Sequence, residues 1–495
     1  MTGIKASLAS NIWRITCEPA RRRLSKALIE PQAAQQAVLN RILHDHSSSE
    51  YGVKYGLLAG MTMKDFRDAV PVCRYDDLQQ WVERMKSGEA DVLFTGRAKA
   101  FERSSGSTAA AKWIPFNDGL RVEFQEAVRA WMGDLYRRNR SLCGGRAWWV
   151  VSPLADHAMK TSAGIPVGLA SDDEYLGRCE KIFASWLRVG TGKAAGSDWQ
   201  QCLQDTADEL IKARDLRLIS VWNPSYLLIL WELIQKRCGG NPDPREIWPN
   251  LTIISAWADA GAADDAPKLR EIFPHVRLQG KGLLATEGVI TLPWGDDDAA
   301  PVPALSSHFL EFQQWPNGDF FLIHELQQGE SYEVILTTSG GLWRYLLGDV
   351  VRVEGMEMNT PRLRLIGRAD GVCDLRGEKL NPLFVAQVFA KFTKDFALLS
   401  PCPSADPPHY VLSTTNSELS AVQVDHALRE NPYYDHARSV GQLGALRKFL
   451  VKETEPARAY MERCIQLGQR AGTIKATAMH VKPGWETWFK GGFAP

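Results

Sequence analysis

From residue 25 to about 90, apolar positions such as Leu28, Val38, Ile42 and Leu43 recur at helical spacing, with a turn at 47–49, which predicts a packed helical segment. Beyond it the pattern changes. Short apolar, β-prone runs at 148–151, 218–222, 251–257, 334–338, 350–353 and 363–366 are separated by longer amphipathic stretches, an alternation that predicts α/β architecture. Two helices stand out. One is predicted over about 118–138, with Asn117 or Asp118 as its cap and Leu120, Phe124, Val128, Trp131 and Leu135 on one face. The other starts at Asn381 with Pro382 in its first turn and a stripe of Phe384, Val385, Val388, Phe389 and Phe392. Between the last strong strand pattern and this helix lie Gly367, Arg368, Ala369, Asp370 and Gly371, a charged and glycine-rich hinge pattern. It predicts a large domain over 1–368, a hinge at 369–371 and a smaller carboxy-terminal domain over 372–495.

Composition narrows the function classes. The 58 Lys plus Arg balance the 58 Asp plus Glu, without the basic excess of nucleic-acid binding. With 45% hydrophobic and 23% charged residues over 495 positions, an ordinary globular protein is expected. Nine scattered Cys include no C-x-x-C pair, which argues against a disulfide framework or a zinc site. The most apolar stretch, 218–234, is broken by Asn223, Pro224, Ser225 and Glu232, so no membrane span is expected. Without an apolar leader pattern near the amino terminus, a cytoplasmic location follows as the expectation.

Four segments carry candidate chemistry. In Ser104, Ser105, Gly106, Ser107, Thr108, Ala109, Ala110, Ala111 and Lys112, small residues let backbone N–H groups close around phosphate oxygens, while hydroxyls donate and Lys112 supplies charge. A solvated loop is the alternative, and the P-loop spacing is absent. Thr286 and Glu287 set a hydroxyl beside a carboxylate that can share Mg²⁺ with a triphosphate, or else form a loop. Asp349 ends an apolar segment, where it can accept from ribose hydroxyls or serve a turn, and Lys475, after Gly472, Thr473 and Ile474, reads by itself as a surface lysine. Trp222 and Tyr226 flank a strand-to-helix junction, a place where α/β folds border ligands or pack their cores.

The order and spacing of these segments resemble the adenylate-forming superfamily and, within it, the Gretchen Hagen three family of acyl acid amido synthetases. The resemblance rests on Ser104 to Thr108 with Lys112 to Pro115, on Thr286 and Glu287, on Trp343 to Asp349, and on Arg368 to Asp370 followed by Gly377 to Pro382. Residues 71–77, Arg84, Gly88 and Glu89 resemble the family's lead into the phosphate loop. Ala109 to Ala111 stand where the family has a second glycine, and Leu283 stands where many members carry an adenine-stacking aromatic.

The resemblance implies a multi-part adenylate-forming amino-terminal domain with a smaller mobile α+β domain. It implies a reaction in which a carboxylate attacks the α-phosphorus of ATP, pyrophosphate leaves, and an amine or amino acid captures the acyl adenylate. Nucleotide contacts are then expected from Ser104, Ser105, Gly106, Ser107, Thr108, Lys112, Leu283, Ala285, Thr286, Glu287, Tyr345, Asp349 and Arg368. Glu287 would hold Mg²⁺, Asp349 with Arg368 the ribose, and Lys475 the charge that builds during adenylation. Trp222 and Tyr226 are the candidates for the acyl pocket. The expected partners are a small carboxylic acid and an amine or amino acid, not nucleic acid or membrane. Two rivals remain: an acyl-CoA or carrier-protein ligase with the same first step, and a homologue that binds nucleotide without turnover.

Overall fold

The computed structural model describes the chain apart from residues 1, 104–111, 150–158, 169–177, 191–198, 260–264, 317, 370, 374, 377, 379, 440, 468, 470–473 and 495. Two compact units emerge, the larger comprising Met1–Ser104, Lys112–Leu347 and Val351–Leu365, the smaller including Gly348–Val350 and Ile366–Pro495.

The larger unit opens with a helix that the hydropathy pattern conceals. Thr2–Ile29 buries Ala6, Ala9, Trp13, Cys17, Ala20, Leu24 and Leu28, three or four apart and therefore on one stripe. Four of those seven are alanine or cysteine, while Leu8 and Ile15 are exposed, so no strong apolar period marks it. Helical structure therefore begins well before the expected residue 25. The small residues permit close packing against the helix Asp118–Arg138, where a Cβ at Gly133 would lie 3.0 Å from the Cys17 carbonyl oxygen. That second helix has the predicted bounds, and Asn117 caps it, its Oδ1 accepting from the Leu120 N–H at 2.8 Å.

Four parallel strands follow in the sheet order Arg146–Trp149, Leu216–Ser220, Ile253–Ala256 and Arg277–Gly280. Their side chains alternate between two cores: Leu218 and Ile253 join the cluster that includes the amino-terminal helices, whereas Ile219 and Ile254 join a second with Tyr226, Trp231 and Trp248. A parallel sheet buried on both faces is what uninterrupted apolar runs specify. The apolar stretch 218–234 resolves into the end of one strand and most of the helix Pro224–Arg237. Among the described residues no helix is long and apolar enough to cross a membrane. A five-stranded sheet lies largely in the same unit, in the order Phe320–Leu322, Phe309–Gln314, Ser331–Thr337, Tyr345–Glu357 and Thr360–Arg368.

In the smaller unit a sheet of Ala397–Cys402, His409–Thr414, Arg447–Val451 and Gly491–Phe493 supports helices that include Pro382–Ala390 and Ala421–Leu428. Asn381 caps the first, accepting from the Phe384 N–H at 2.9 Å. Val385, Val388 and Phe389 are buried, but Phe392 is not part of the stripe. The helix ends at Ala390, and Phe392 lies in the following turn with its ring exposed.

His480 is buried beside Tyr460 and Trp485 in this unit. Its Nδ1 accepts from the Lys482 N–H at 3.1 Å, and Nε2 meets no hydrogen-bond partner among the described residues. Burial, aided by the Lys482 charge, lowers its pKa to about 4. Unfolded, the ring titrates near 6.5, so the stability gained by keeping it neutral is complete above that pH and is lost as pH falls through 4. The expected loss across this window is about 3 kcal/mol, read from urea unfolding followed by the fluorescence of the smaller unit's tryptophans, and His480→Gln should flatten the dependence.

Candidate active site

The serine-rich loop Ser104, Ser105, Gly106, Ser107 and Thr108 lies outside the described residues, as does Asp370. Lys112, immediately after the loop, is described. Its Nζ donates to the Tyr345 hydroxyl at 3.1 Å. Tyr345 itself is 0% exposed, and its hydroxyl accepts from Lys112.

Thr286 and Glu287 form the tip of a two-residue hairpin in which Leu284 pairs with Val289 and Ala285 with Gly288. Strand alternation turns Leu283 inward, where at 2% exposed it belongs to the core. Leu284, Ala285 and Thr286 are half-buried, and Glu287 is buried.

A hydrogen-bond relay that no local motif reveals anchors the hairpin. The Val289 N–H donates to His308 Nε2 at 3.0 Å, which leaves the proton on Nδ1 to donate to Glu123 Oε2, also at 3.0 Å. Glu123 Oε1 accepts from the Ser339 hydroxyl at 2.6 Å and from its N–H at 3.1 Å. Asn117, the cap of the helix that carries Glu123, donates to the Ser339 carbonyl at 2.7 Å. One buried carboxylate thus ties a helix, the Glu287 hairpin and the loop leading to Trp343.

The Trp343, Arg344 and Tyr345 segment is equally fixed. Arg344 adopts a left-handed backbone, φ +45°, a conformation that costs a non-glycine residue about 1–3 kcal/mol. Its guanidinium makes a two-pronged pair with buried Glu311 at 2.9 and 3.0 Å and donates to the carbonyls of Arg67 and Val70. Burial raises the Glu311 pKa against the opposing pull of Arg344 and Arg67. Residues 71–77 run alongside: the Cys73 N–H donates to the Arg344 carbonyl at 3.1 Å, and the Leu346 N–H to that of Cys73 at 2.9 Å. Arg84 pairs with Glu89 and Glu50.

Within the smaller unit, Asp349 is buried and Arg368 Nη1 stands 3.3 Å from both of its carboxylate oxygens. The Ala369 N–H donates to the Gly348 carbonyl at 2.7 Å, bringing the two segments together. Lys475 is half-buried, and its carbonyl accepts from the Tyr460 hydroxyl at 3.5 Å.

The proposed acyl residues separate. Tyr226 packs in the second core, its ring stacked on Trp148 at 6.3 Å. Trp222 remains half-buried, with Trp257 5.7 Å away. Lys281, which no sequence motif marks, reaches this place. Its Nζ donates to the Ser220 hydroxyl at 2.6 Å and lies 5.0 Å from the Trp222 ring centre. A lysine between two glycines gives no spacing signal, because its partners are distant in sequence.

Residues 20–240 match the GH3 family N-terminal domain, and residues 302–368 the GH3 family central domain. The chain is 22% identical to jasmonoyl--L-amino acid synthetase JAR6 of Nicotiana attenuata, over 84% of this chain and 86% of that one. It is 23% identical to indole-3-acetic acid-amido synthetase GH3.8 of Oryza sativa subsp. indica, over 77% of this chain and 75% of that one. Its fold is similar to the solved AtGH3.15 acyl acid amido synthetase in complex with 2,4-DB, with a TM-score of 0.78 and 17% identity over 95% of both chains.

The Arg344 pair yields a direct test. Glu311→Ala leaves the buried guanidinium uncompensated and is expected to lower stability by about 3–5 kcal/mol, measured as a fall in the midpoint of urea unfolding of the full chain.

Proposed function

The chain belongs to the GH3 (Gretchen Hagen three) family, and from that premise we propose that it adenylates a small carboxylic acid with ATP and transfers the acyl group to an amino acid or related amine, forming an amide. An amine acceptor is preferred to a thiol because the named relatives make amides of jasmonic or indole-3-acetic acid. The observation that carries the reading is the buried Glu287 carboxylate at a hairpin tip held through His308 by Glu123.

The donor chemistry at that tip fits Mg²⁺ as a shared ion. Among the described residues no group of three or more His, Cys, Asp or Glu could hold a metal, and Mg²⁺ is commonly held by one or two carboxylates with substrate phosphates and water. Glu287 would supply the protein ligand, and the bound ion would offset charge on the phosphate oxygens. Lys112, oriented by Tyr345, and the serine-rich loop are assigned to the phosphates, and Asp349 with Arg368 to the ribose hydroxyls. Ala285 and Thr286, half-buried beside Glu287, are assigned to the nucleotide. A cytoplasmic setting is part of this proposal, on the sequence pattern of scattered cysteines without a C-x-x-C pair.

In the first half-reaction the carboxylate oxygen bonds to the α-phosphorus as the bond to pyrophosphate breaks. Lys475 is assigned the negative charge that builds there, a contribution of about 10²–10³ in rate for one well-aimed donor. In the second, the amine attacks the acyl carbon, AMP leaves, and the amine proton passes to solvent or to a nearby base. Residues 372–495, pivoting at Asp370, carry Lys475 away between the steps. Lys475→Ala is therefore expected to slow acyl-adenylate formation about 10²–10³-fold while sparing amide formation from a presynthesised acyl adenylate, followed by quenched-flow chromatography. Equal losses in the two half-reactions would overturn this assignment.

A further inference from the structure

Lys281 follows the last strand of the four-stranded parallel sheet, at the carboxyl end where open α/β sheets take their ligands. It is 3% exposed, and a buried ammonium is costly unless its surroundings favour a cation. Here they do. Nζ lies 4.8 Å from the Trp131 ring centre and 5.0 Å from that of Trp222, aromatic faces that attract a cation. The Ser220 hydroxyl, at the end of a strand two places across the sheet, accepts from it at 2.6 Å. The walls are themselves fastened: Trp131 Nε1 donates to Gln279 Oε1 at 2.9 Å, and the Trp257 N–H to the Trp222 carbonyl at 2.8 Å.

The surroundings change character at this point. Trp131 and Lys281 are buried, whereas Ser220, Trp222 and Trp257 are half-buried. A fixed positive charge is thus bordered by flat apolar rings that reach solvent, and six residues later the same segment carries Glu287. A charge at the base and ring faces at the side are the complement of an aromatic acid.

We propose that Lys281 anchors the carboxylate of the acyl acid and that Trp222 and Trp257 stack on its body, so that the substrate is an aromatic carboxylic acid. This rests on the adenylating activity proposed above. The test uses the full chain with benzoate, cinnamate and 2-naphthoate, each beside its primary amide, a neutral analogue of nearly the same shape, and with hexanoate and octanoate as aliphatic acids in the exchange assay. Quenching of tryptophan fluorescence gives affinity, and acid-dependent exchange of labelled pyrophosphate into ATP gives KM for acid and for ATP. The wild type is expected to bind at least one acid more tightly than its amide. Lys281→Met should weaken that acid about 10–100-fold, the range of a charged hydrogen bond, raise its KM similarly, leave KM for ATP within about twofold and abolish the preference for acid over amide. Lys281→Arg should restore part of that preference. A purely structural role would weaken acid, amide and ATP together, and that result overturns the proposal, as does an unchanged preference in Lys281→Met. If Lys281→Met does not fold, Ser220→Ala removes the hydroxyl that orients Nζ and takes its place: a reduced preference for acid over amide supports the proposal, and an unchanged one overturns it. Exchange supported only by aliphatic acids sinks the proposal and leaves the adenylating activity standing; exchange with no acid of any class sinks that activity.

Discussion

The buried carboxylate of Glu123 is the constraint on which the larger unit's chemistry depends. It accepts from His308 and from both the N–H and the hydroxyl of Ser339. Removed from water, such a group is tolerable only when its oxygens are satisfied, so the two segments that satisfy it must meet its helix in one arrangement. Through His308 it sets the hairpin that presents Glu287, and through Ser339 the loop that enters the Trp343 segment. Strained Arg344, locked on Glu311, continues that order to Tyr345 and hence to Lys112. Positioning of this kind is what nucleotide chemistry asks of a protein, because the reaction depends on placing charge more than on covalent help.

How much of this is legible in the sequence follows the range of each interaction. The helix at 118–138 and the capped helix at Asn381 are readable because cap and stripe are local. Parallel strands are readable as apolar runs because both faces are buried. The amino-terminal helix is not, since its buried face is largely Ala and Cys, residues that allow close packing but barely register as hydrophobic. Glu123 is visible only as an acid near an apolar helical stripe. Nothing local announces that its partners lie at 308 and 339.

The site residues divide in the same way. Short motifs single out the hairpin at Thr286 and Glu287 and the segment ending at Asp349, yet they do not separate buried residues from those nearer the surface. Leu283, Tyr345 and Tyr226 are all buried by neighbours that the motif does not contain. Lys281 shows the converse: its meaning lies in Trp131, Ser220 and Trp222, which only the folded sheet assembles.

The central claim is that the energy of ATP is passed to a carboxylate through the α-phosphate. Incubating the protein with ATP, Mg²⁺, a panel of carboxylic acids and a mixture of amino acids, then identifying the nucleotide and amide products by mass spectrometry, tests this most directly. AMP and amide formed in equal amounts, and only with both acid and amino acid present, is the expected result; ADP with inorganic phosphate, or ATP left intact by every acid, would contradict it.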